Sequence, residues 1–130
     1  MAENTKVLVD TSVWIDFFDG QPETIGTLSD LVKNSRVVVC GQIRQEVLQG
    51  SRDEKAFAKL EKQMAIWDSK TEDPADFIEA ARIFARLRWK GFTVPPSDCL
   101  IAAVAIRHGL RLYSNDGDFD RIPKLQRYKP

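Results

Sequence analysis

The sequence predicts an α/β fold in which a central, mainly parallel sheet of four to five short strands lies between two layers of helices. Short runs of aliphatic and β-branched residues recur along the chain, and segments with helical spacing of apolar residues separate them. Strands that alternate with helices require right-handed crossovers, which run the strands in parallel. The chain has 130 residues, of which 43% are hydrophobic. This is enough for one core, so we expect a single domain over residues 1–130.

The first half of the chain contains two predicted strands, and a helix follows each of them. The runs at residues 7–9 and 37–39 are typical of short strands that are buried on both faces. Pro22 and the acid after it favour a helix start, because proline fits the first turn and a carboxylate complements the helix dipole. Gly50 closes the helix after the second strand. The predicted elements are a strand over residues 6–9, helices over 11–18 and 22–34, a strand over 36–40 and a helix over 42–49.

The second half is mostly helical and ends in further strands. Asp73 and Pro74 mark a helix start, and Ser97 is a predicted N-cap for the apolar helix that follows the extended pair Pro95-Pro96. The predicted elements are helices over residues 53–64, 76–90 and 98–108, a short strand or connection over 65–67, a strand over 110–114 and a last strand near 125–128.

Composition and charge place few constraints on function. Lys plus Arg and Asp plus Glu both number 19, so net charge neither indicates nor excludes a nucleic-acid binder. Cys40 and Cys99 lie in separate apolar segments, which is typical of buried thiols in a reducing compartment. The sequence shows no signal-peptide pattern, and its longest apolar run, residues 99–106, is too short for a membrane span. We therefore expect a cytoplasmic protein.

Acidic residues follow two of the predicted strands. Asp10 comes directly after the first strand, and Asp116 and Asp118 come after the strand over 110–114. Each also has an ordinary structural interpretation, because Asp10 suits the N-cap of the next helix and an Asx-Gly sequence suits a turn. Since the carboxyl ends of parallel strands meet at one edge of the sheet, these acids equally suit a ligand site there.

Two further acids are predicted to lie at the same edge. Glu46 falls on the border of the buried face of the helix over 42–49, where the alternative is a solvated side chain. Asp98 opens a helix that is apolar almost all round, and burying its charge is costly unless the carboxylate is paired or binds a metal. The alternative for Asp98 is an acid in the first turn that complements the helix dipole.

Taken together, the acids predict a divalent metal site. Clustered carboxylates repel one another without a cation, and oxygen ligands of this kind suit Mg²⁺ or Mn²⁺. The chemistry expected of such a site is metal-assisted phosphoryl transfer. The chain has one histidine, His108, and no glycine-rich nucleotide loop. This excludes a mechanism with two histidines and removes the main support for a nucleotide cofactor.

Four ordered motifs carry a resemblance to a known family. They are VLVDTSVWIDFF around Asp10, QEVLQG around Glu46, PSDCLIAA around Asp98 and SNDGDF around Asp116. Their order, spacing and total length resemble the PIN-domain nucleases, and within that family the VapC-like toxins of bacterial toxin–antitoxin pairs. The resemblance covers nearly the whole chain and implies a PIN-like fold. Ser114 stands where many relatives carry threonine, a departure that keeps the hydroxyl.

The resemblance implies an endoribonuclease that depends on Mg²⁺ or Mn²⁺ and hydrolyses RNA with a metal-activated water. It implies Asp10, Glu46, Asp98 and Asp116 as the catalytic and metal-binding acids, with Asp118 as an auxiliary ligand. It also implies a homodimer and a cognate VapB-like antitoxin, whose C-terminal segment would lie in a groove near the site and block it.

Hydroxyl and basic side chains complete the predicted site. Thr11, Ser12 and Ser114 are expected to orient carboxylates or waters through hydrogen bonds. Arg44 and Arg86 are candidates for contact with the RNA backbone, although each also suits a solvated helix face. The other basic candidates are Arg52, Lys55, Lys59, Lys62, Arg82, Arg88 and Lys90.

Two alternative functions stay open at this point. A small-molecule phosphohydrolase would use Asp10 as a nucleophile, but haloacid-dehalogenase-like enzymes place a second Asp where this chain has Ser12. A non-catalytic interaction domain would use the acids to bind a structural cation or a basic partner.

Overall fold

The structure is a computed structural model that describes residues 5–130, and it is built around a parallel five-stranded sheet. The strands are β1 (Val7–Val9), β2 (Val37–Val39), β3 (Asp68–Ser69), β4 (Arg111–Tyr113) and β5 (Gln126–Arg127). They pair in the order β3-β2-β1-β4-β5, and every pairing is parallel. The predicted α/β fold with a central parallel sheet is therefore confirmed. The single domain over 1–130 stays a prediction, and residues 1–4 of it lie outside the described residues.

Six α-helices and one 3₁₀-helix accompany the strands in the part of the chain that the structure describes. Each predicted helix is present, with boundaries that differ from the prediction by at most two residues. The helices are α1 (Thr11–Phe18), α2 (Pro22–Lys33), α3 (Gly41–Gln49), α4 (Glu54–Met64), α5 (Pro74–Trp89), α6 (Pro96–Arg107) and the 3₁₀-helix Gly117–Arg121.

One predicted boundary is wrong for a physical reason. Helix α6 begins at Pro96, with Pro95 in the N-cap position, so Ser97 is not the cap. Proline suits the first helical position because it has no N–H to leave unpaired, and the helix therefore starts two residues earlier. Of the two alternatives for residues 65–67, a short strand or a connection, the structure shows the connection: Ala65 caps α4, and the pairing with β2 begins at Asp68.

Strand β1 is the centre of the sheet and the most protected segment of the core. Its three residues are fully buried, with Val7 paired to Val37 of β2 on one side and Leu8 paired to Leu112 of β4 on the other. The indole Nε1 of the buried Trp14 donates to the Val9 carbonyl at 3.0 Å, which fixes α1 against β1. Asp10, which links the two elements, is therefore held in a rigid position.

The two cysteines are buried, as their apolar segments predict. Cys40 and Cys99 are both buried and free, and burial raises the pKa of Cys40 to about 12 and that of Cys99 to about 11. The helices within residues 5–130 include none with the length and apolar character needed to cross a membrane.

A buried ion pair connects the start of α5 to the end of α6. Asp76 is 1% exposed and forms a reciprocal capping box with Asp73. Its two carboxylate oxygens accept from Arg107, at 2.7 Å from Nε and 2.8 Å from Nη2. The hydrogen bonds from Arg107 lower the pKa of Asp76 below its usual value. The pair therefore fixes the start of α5 against the end of α6, the helix whose first turn contains Asp98.

We predict that Asp76→Asn lowers the free energy of unfolding by about 1 kcal/mol at pH 7, because the partly exposed Arg107 loses its nearest carboxylate and keeps only Asp73, at 3.4 Å. The folded-state pKa of Asp76 is depressed, so its contribution is complete above the unfolded value of about 3.9 and is lost as pH falls through the folded value. Urea unfolding of both proteins at pH 7 and at pH 3 checks this.

The matched control on the same helix is Glu79→Gln, which removes an exposed pair with Arg82 and should cost less than about 0.5 kcal/mol. A difference between Asp76→Asn and wild type that is the same at both pH values would contradict the assignment.

Candidate active site

Asp10 is buried at the carboxyl end of β1 and is held by two serines. Its Oδ2 accepts from Ser12 Oγ at 2.9 Å and from Ser114 Oγ at 2.7 Å. Asp10 occupies the N-cap position of α1, but its side chain makes no capping hydrogen bond. The Asp10 carboxylate therefore forms its hydrogen bonds at the sheet edge and does not cap α1.

The two serines also join α1 to the chain that leaves β4. Ser12 Oγ accepts from the Asn115 N–H at 3.1 Å, and Ser114 Oγ accepts from the Asp116 N–H at 3.0 Å. The Asn115 side chain donates to Asp16 Oδ2 at 2.7 Å, a contact that the sequence analysis missed. The predicted orienting role of Ser12 and Ser114 agrees with these hydrogen bonds.

Glu46 is half-buried on α3, and both of its carboxylate oxygens are hydrogen-bonded. Thr11 Oγ1 donates to Oε1 at 2.6 Å, and Gln42 Nε2 donates to Oε2 at 2.8 Å. Glu46 is thus a positioned acid at the helix border rather than a solvated side chain. The sequence analysis missed Gln42, although its spacing of four residues from Glu46 on a helix is a usable signal.

The start of α3 is held by Glu72, which lies 30 residues further along the chain than Gln42. The Gly41 N–H donates to Glu72 Oε1 at 2.9 Å, and the Gln42 N–H donates to Oε2 at 2.6 Å. A Cβ on Gly41 would stand 2.8 Å from Oε1, so a larger residue here would make the Glu72 side chain shift from these hydrogen bonds. The carboxylate satisfies two free N–H groups at the positive end of the helix. It thereby fixes the helix that carries Glu46.

Asp98 lies in the first turn of α6 and faces the other predicted acids. Its pKa is raised to about 7, first by burial and then by repulsion from Asp10, Asp116, Glu46 and Asp118. The helix-dipole interpretation alone does not account for this, because a helix N-terminus stabilises the charged form of a carboxylate. The structure therefore brings the five predicted acids into one electrostatic cluster.

Asp116 and Asp118 form a turn and belong to the cluster at the same time. Asp116 Oδ1 accepts from the Asp118 N–H at 2.9 Å and caps the 3₁₀-helix Gly117–Arg121. The turn interpretation is correct, and it leaves both carboxylates half-buried on the side of Asp98.

The cluster suits a divalent cation in its chemistry but is not closed around one. No group of three or more His, Cys, Asp and Glu side chains within residues 5–130 is arranged to hold a metal ion. Several carboxylate oxygens are instead occupied by hydrogen bonds from Thr11, Ser12, Gln42 and Ser114. All five acids offer oxygen ligands, which Mg²⁺ and Mn²⁺ prefer, and their mutual repulsion at Asp98 is what a cation relieves.

The two arginines predicted to contact RNA differ in their surroundings. Arg44 is half-buried, with Nη2 3.4 Å from the Met64 carbonyl and Nη1 3.5 Å from Ser69 Oγ. It thus links α3 to the end of α4 and to β3. Arg86 lies exposed on α5, where its guanidinium is accessible to a polyanion.

A groove of about 890 Å³ lies between α1, α3 and α4, and Glu46 is part of its wall. Ile15 and Phe18 of α1 line it and are 51% and 40% exposed. Lys55 and Lys59 line the α4 side. The groove therefore combines exposed apolar side chains with three cationic residues, Arg52, Lys55 and Lys59, and with the acids Asp19, Asp53 and Glu46.

Comparisons with known proteins identify the family of the chain. A family model described as PIN domain matches residues 7–125. The chain is similar to Ribonuclease VapC11 of Mycobacterium tuberculosis, with 36% identity over 126 residues that cover 92% of each protein. Among solved structures, it is similar to a chain of DNA-bound VapBC from Salmonella typhimurium, with a TM-score of 0.82, 27% identity, and coverage of 95% of this chain and 97% of the other. VapBC2 from Rickettsia felis shares the fold, with a TM-score of 0.80 and 22% identity over 94% of this chain and 96% of the other.

Proposed function

The chain belongs to the PIN-domain family and is a ribonuclease of the VapC type, and from this premise we propose that it hydrolyses RNA phosphodiester bonds at the acid cluster as the toxin of a toxin–antitoxin pair. The observation that carries the proposal is the convergence of four acids on the half-buried Asp98, whose pKa is raised to about 7 by burial and by these charges; the four are Asp10, Glu46, Asp116 and Asp118. Because the proposed substrate is RNA, we propose that the protein acts in the cytoplasm.

We assign cation binding to Asp10, Glu46, Asp98 and Asp116, with Asp118 as an auxiliary ligand. When bound, Mg²⁺ or Mn²⁺ would neutralise charge on the phosphodiester and lower the pKa of the attacking water.

Neighbouring hydroxyl groups give the proposed ligands fixed orientations. Ser12 and Ser114 both donate to Oδ2 of Asp10, and Thr11 donates to Oε1 of Glu46. Hydrogen bonds of this kind hold ligand carboxylates in place and tune their basicity. We propose Arg86 as a contact for the RNA backbone, because it is exposed, whereas Arg44 is engaged with the chain's own backbone.

The alternatives from the sequence receive less support. In place of the second aspartate of a haloacid-dehalogenase-like enzyme, Ser12 donates a hydrogen bond to Asp10. A purely structural cation site leaves the similarity to a named ribonuclease over 92% of the chain without an explanation.

We predict that Asp10→Asn reduces RNA cleavage in Mg²⁺ or Mn²⁺ by more than about 100-fold, because loss of a ligand costs more than the 10–100-fold of an outer-shell change. The amide keeps the size of the side chain and its carbonyl oxygen still accepts from the serines, so the fold is retained. Cleavage of a mixed RNA pool, together with circular dichroism, measures both effects.

The matched control for this variant is Glu61→Gln, which neutralises an exposed acid on α4 and should leave cleavage unchanged. Equal cleavage by the wild type and Asp10→Asn would rule out the assigned site. Covalent phosphate trapped on Asp10 would instead favour the phosphohydrolase.

We propose that the groove between α1, α3 and α4 receives a segment of the cognate VapB-like antitoxin. Its apolar wall suits an apolar segment, and Lys55 and Lys59 suit acidic groups on that segment. Because Glu46 lines the same groove, an occupant would cover one of the proposed catalytic acids. Inhibition would then follow from steric exclusion of RNA.

The double variant Lys55→Glu/Lys59→Glu should weaken antitoxin binding at least tenfold, about 1.4 kcal/mol, through like-charge repulsion. Titration with a cognate VapB-like antitoxin measures the affinity, and Lys33→Glu on α2 is the control. Unchanged antitoxin affinity with reduced RNA cleavage would assign these lysines to the substrate instead.

We propose a homodimer formed through the exposed apolar face of α5 and the adjoining part of α6. Phe77 and Ile78 are 57% and 62% exposed, and a groove of about 460 Å³ beside them is lined by Phe84 and Leu100. Gln42, which orients Glu46, lines the same groove. A second copy on this face would therefore lie close to the candidate site.

Light scattering should show a dimer for the wild type and a monomer for Phe77→Glu, because a charge in an apolar interface is not compensated. Ile66→Glu, at a 71% exposed position outside this face, should stay dimeric. A monomeric wild type would exclude the homodimer, and a dimeric Phe77→Glu would place the interface elsewhere.

A further inference from the structure

We propose that Arg127 is a positioning residue for the candidate site, because its guanidinium clamps both ends of the loop that carries Asp116 and Asp118. This inference rests on the proposed function of the acid cluster. It concerns a residue in the edge strand β5, outside the four motifs that identify the acids in the sequence.

The register of the sheet places Arg127 beside this loop. Arg127 of β5 pairs with Leu112 of β4, and the Tyr128 N–H donates to the Leu112 carbonyl at 2.8 Å. The loop leaves β4 immediately after Tyr113. A long side chain on β5 therefore reaches the first residue of the loop, Ser114.

Three contacts hold the guanidinium of Arg127 in one orientation. Nη2 donates to the Ser114 carbonyl at 2.8 Å, and Nη1 donates to Asp120 Oδ1 at 2.9 Å. Its Cζ lies 5.8 Å from the centre of the buried Phe119 ring. The Arg127 side chain is 11% exposed and that of Asp120 is 57% exposed, so the guanidinium is largely buried while its ion pair with Asp120 lies at the surface. One planar group thus contacts residues at both ends of the segment 114–120.

The Ser114 contact connects the clamp to the acids. Ser114 Oγ donates to Asp10 Oδ2 and accepts from the Asp116 N–H. A shift of the Ser114 backbone would therefore move the hydrogen bonds of two proposed ligands at once. The same shift would also move Asp118, because its N–H donates to Asp116 Oδ1.

The geometry requires arginine rather than a general cation. The planar guanidinium presents parallel N–H groups that bind two acceptors in fixed directions, whereas a lysine ammonium is a point charge on a flexible stem. Arg127→Lys keeps the charge and loses the planar pair of N–H donors, and Arg127→Ala loses both. Arg121→Ala is the control, because that guanidinium lies over Phe92 at 4.1 Å, on the same 3₁₀-helix as Asp120.

The first experiment measures amide hydrogen exchange in the wild type and the three variants of the full chain. We expect faster exchange over residues 114–120 in both Arg127 variants, with exchange in β1 unchanged. Unchanged exchange over 114–120 would contradict the proposal that Arg127 holds this loop. An equal increase in exchange throughout the sheet would show that Arg127 stabilises the fold in general and does not position the loop. If Arg127→Ala fails to fold, Arg127→Lys decides.

The second experiment measures Mn²⁺ binding by calorimetry and RNA cleavage. Both Arg127 variants should bind Mn²⁺ roughly tenfold more weakly, as expected for an outer-shell contact, and the control should match the wild type. Guanidinium ion at non-denaturing concentration should restore cleavage by Arg127→Ala but not by Asp10→Asn. Wild-type Mn²⁺ affinity in both Arg127 variants, or no restoration by guanidinium, would contradict the positioning role.

The two experiments separate the clamp from the function it serves. A wild type that neither binds Mn²⁺ nor cleaves RNA would refute the proposed function, while hydrogen exchange still tests the clamp. A wild type that is active, with Arg127 variants that exchange normally over 114–120, would refute the clamp alone.

Discussion

The parallel pairing of β1 with β4 is the constraint on which the candidate site depends. It ends with the Asp10 N–H donating to the Tyr113 carbonyl at 2.9 Å, which places Asp10 beside Ser114 although 104 residues separate them. Because β1 is fully buried, this register cannot slip without exposing the centre of the core. The acids at the carboxyl edge are therefore positioned by the most stable part of the molecule.

Electrostatic repulsion at this edge is balanced by hydrogen bonds that the fold supplies. Asp10 and Glu46 each accept two side-chain hydrogen bonds, which offset part of the cost of burying their oxygens. At Asp98, burial and repulsion from the neighbouring acids raise the pKa to about 7. A cation at this edge would relieve that repulsion. Such arrangements are typical of functional sites rather than of structural ones.

Three charged residues hold the segments that carry the acids. Glu72 anchors the start of α3, Arg107 joins α5 to α6, and Arg127 clamps the loop after β4. Each makes at least two hydrogen bonds with residues of other segments, which fixes direction as well as distance. The five-stranded sheet thus supplies the edge, and these side chains hold the helices and the loop in position around it.

The sequence by itself determined the α/β class, the helices and the identity of the five acids, because hydrophobic periodicity and motif spacing are local properties of the chain. It also indicated the hydroxyls of Thr11, Ser12 and Ser114, which lie next to the acids in those motifs. Only the tertiary structure decided that the Asp10 carboxylate does not cap α1, and that Gln42, Glu72 and Arg127 support the site. Glu72 and Arg127 contact partners far along the chain or across a strand pairing, and no local pattern encodes such a contact. The pKa of Asp98 likewise depends on four charges from three separate segments of the chain, and their distances exist only once the sheet has formed.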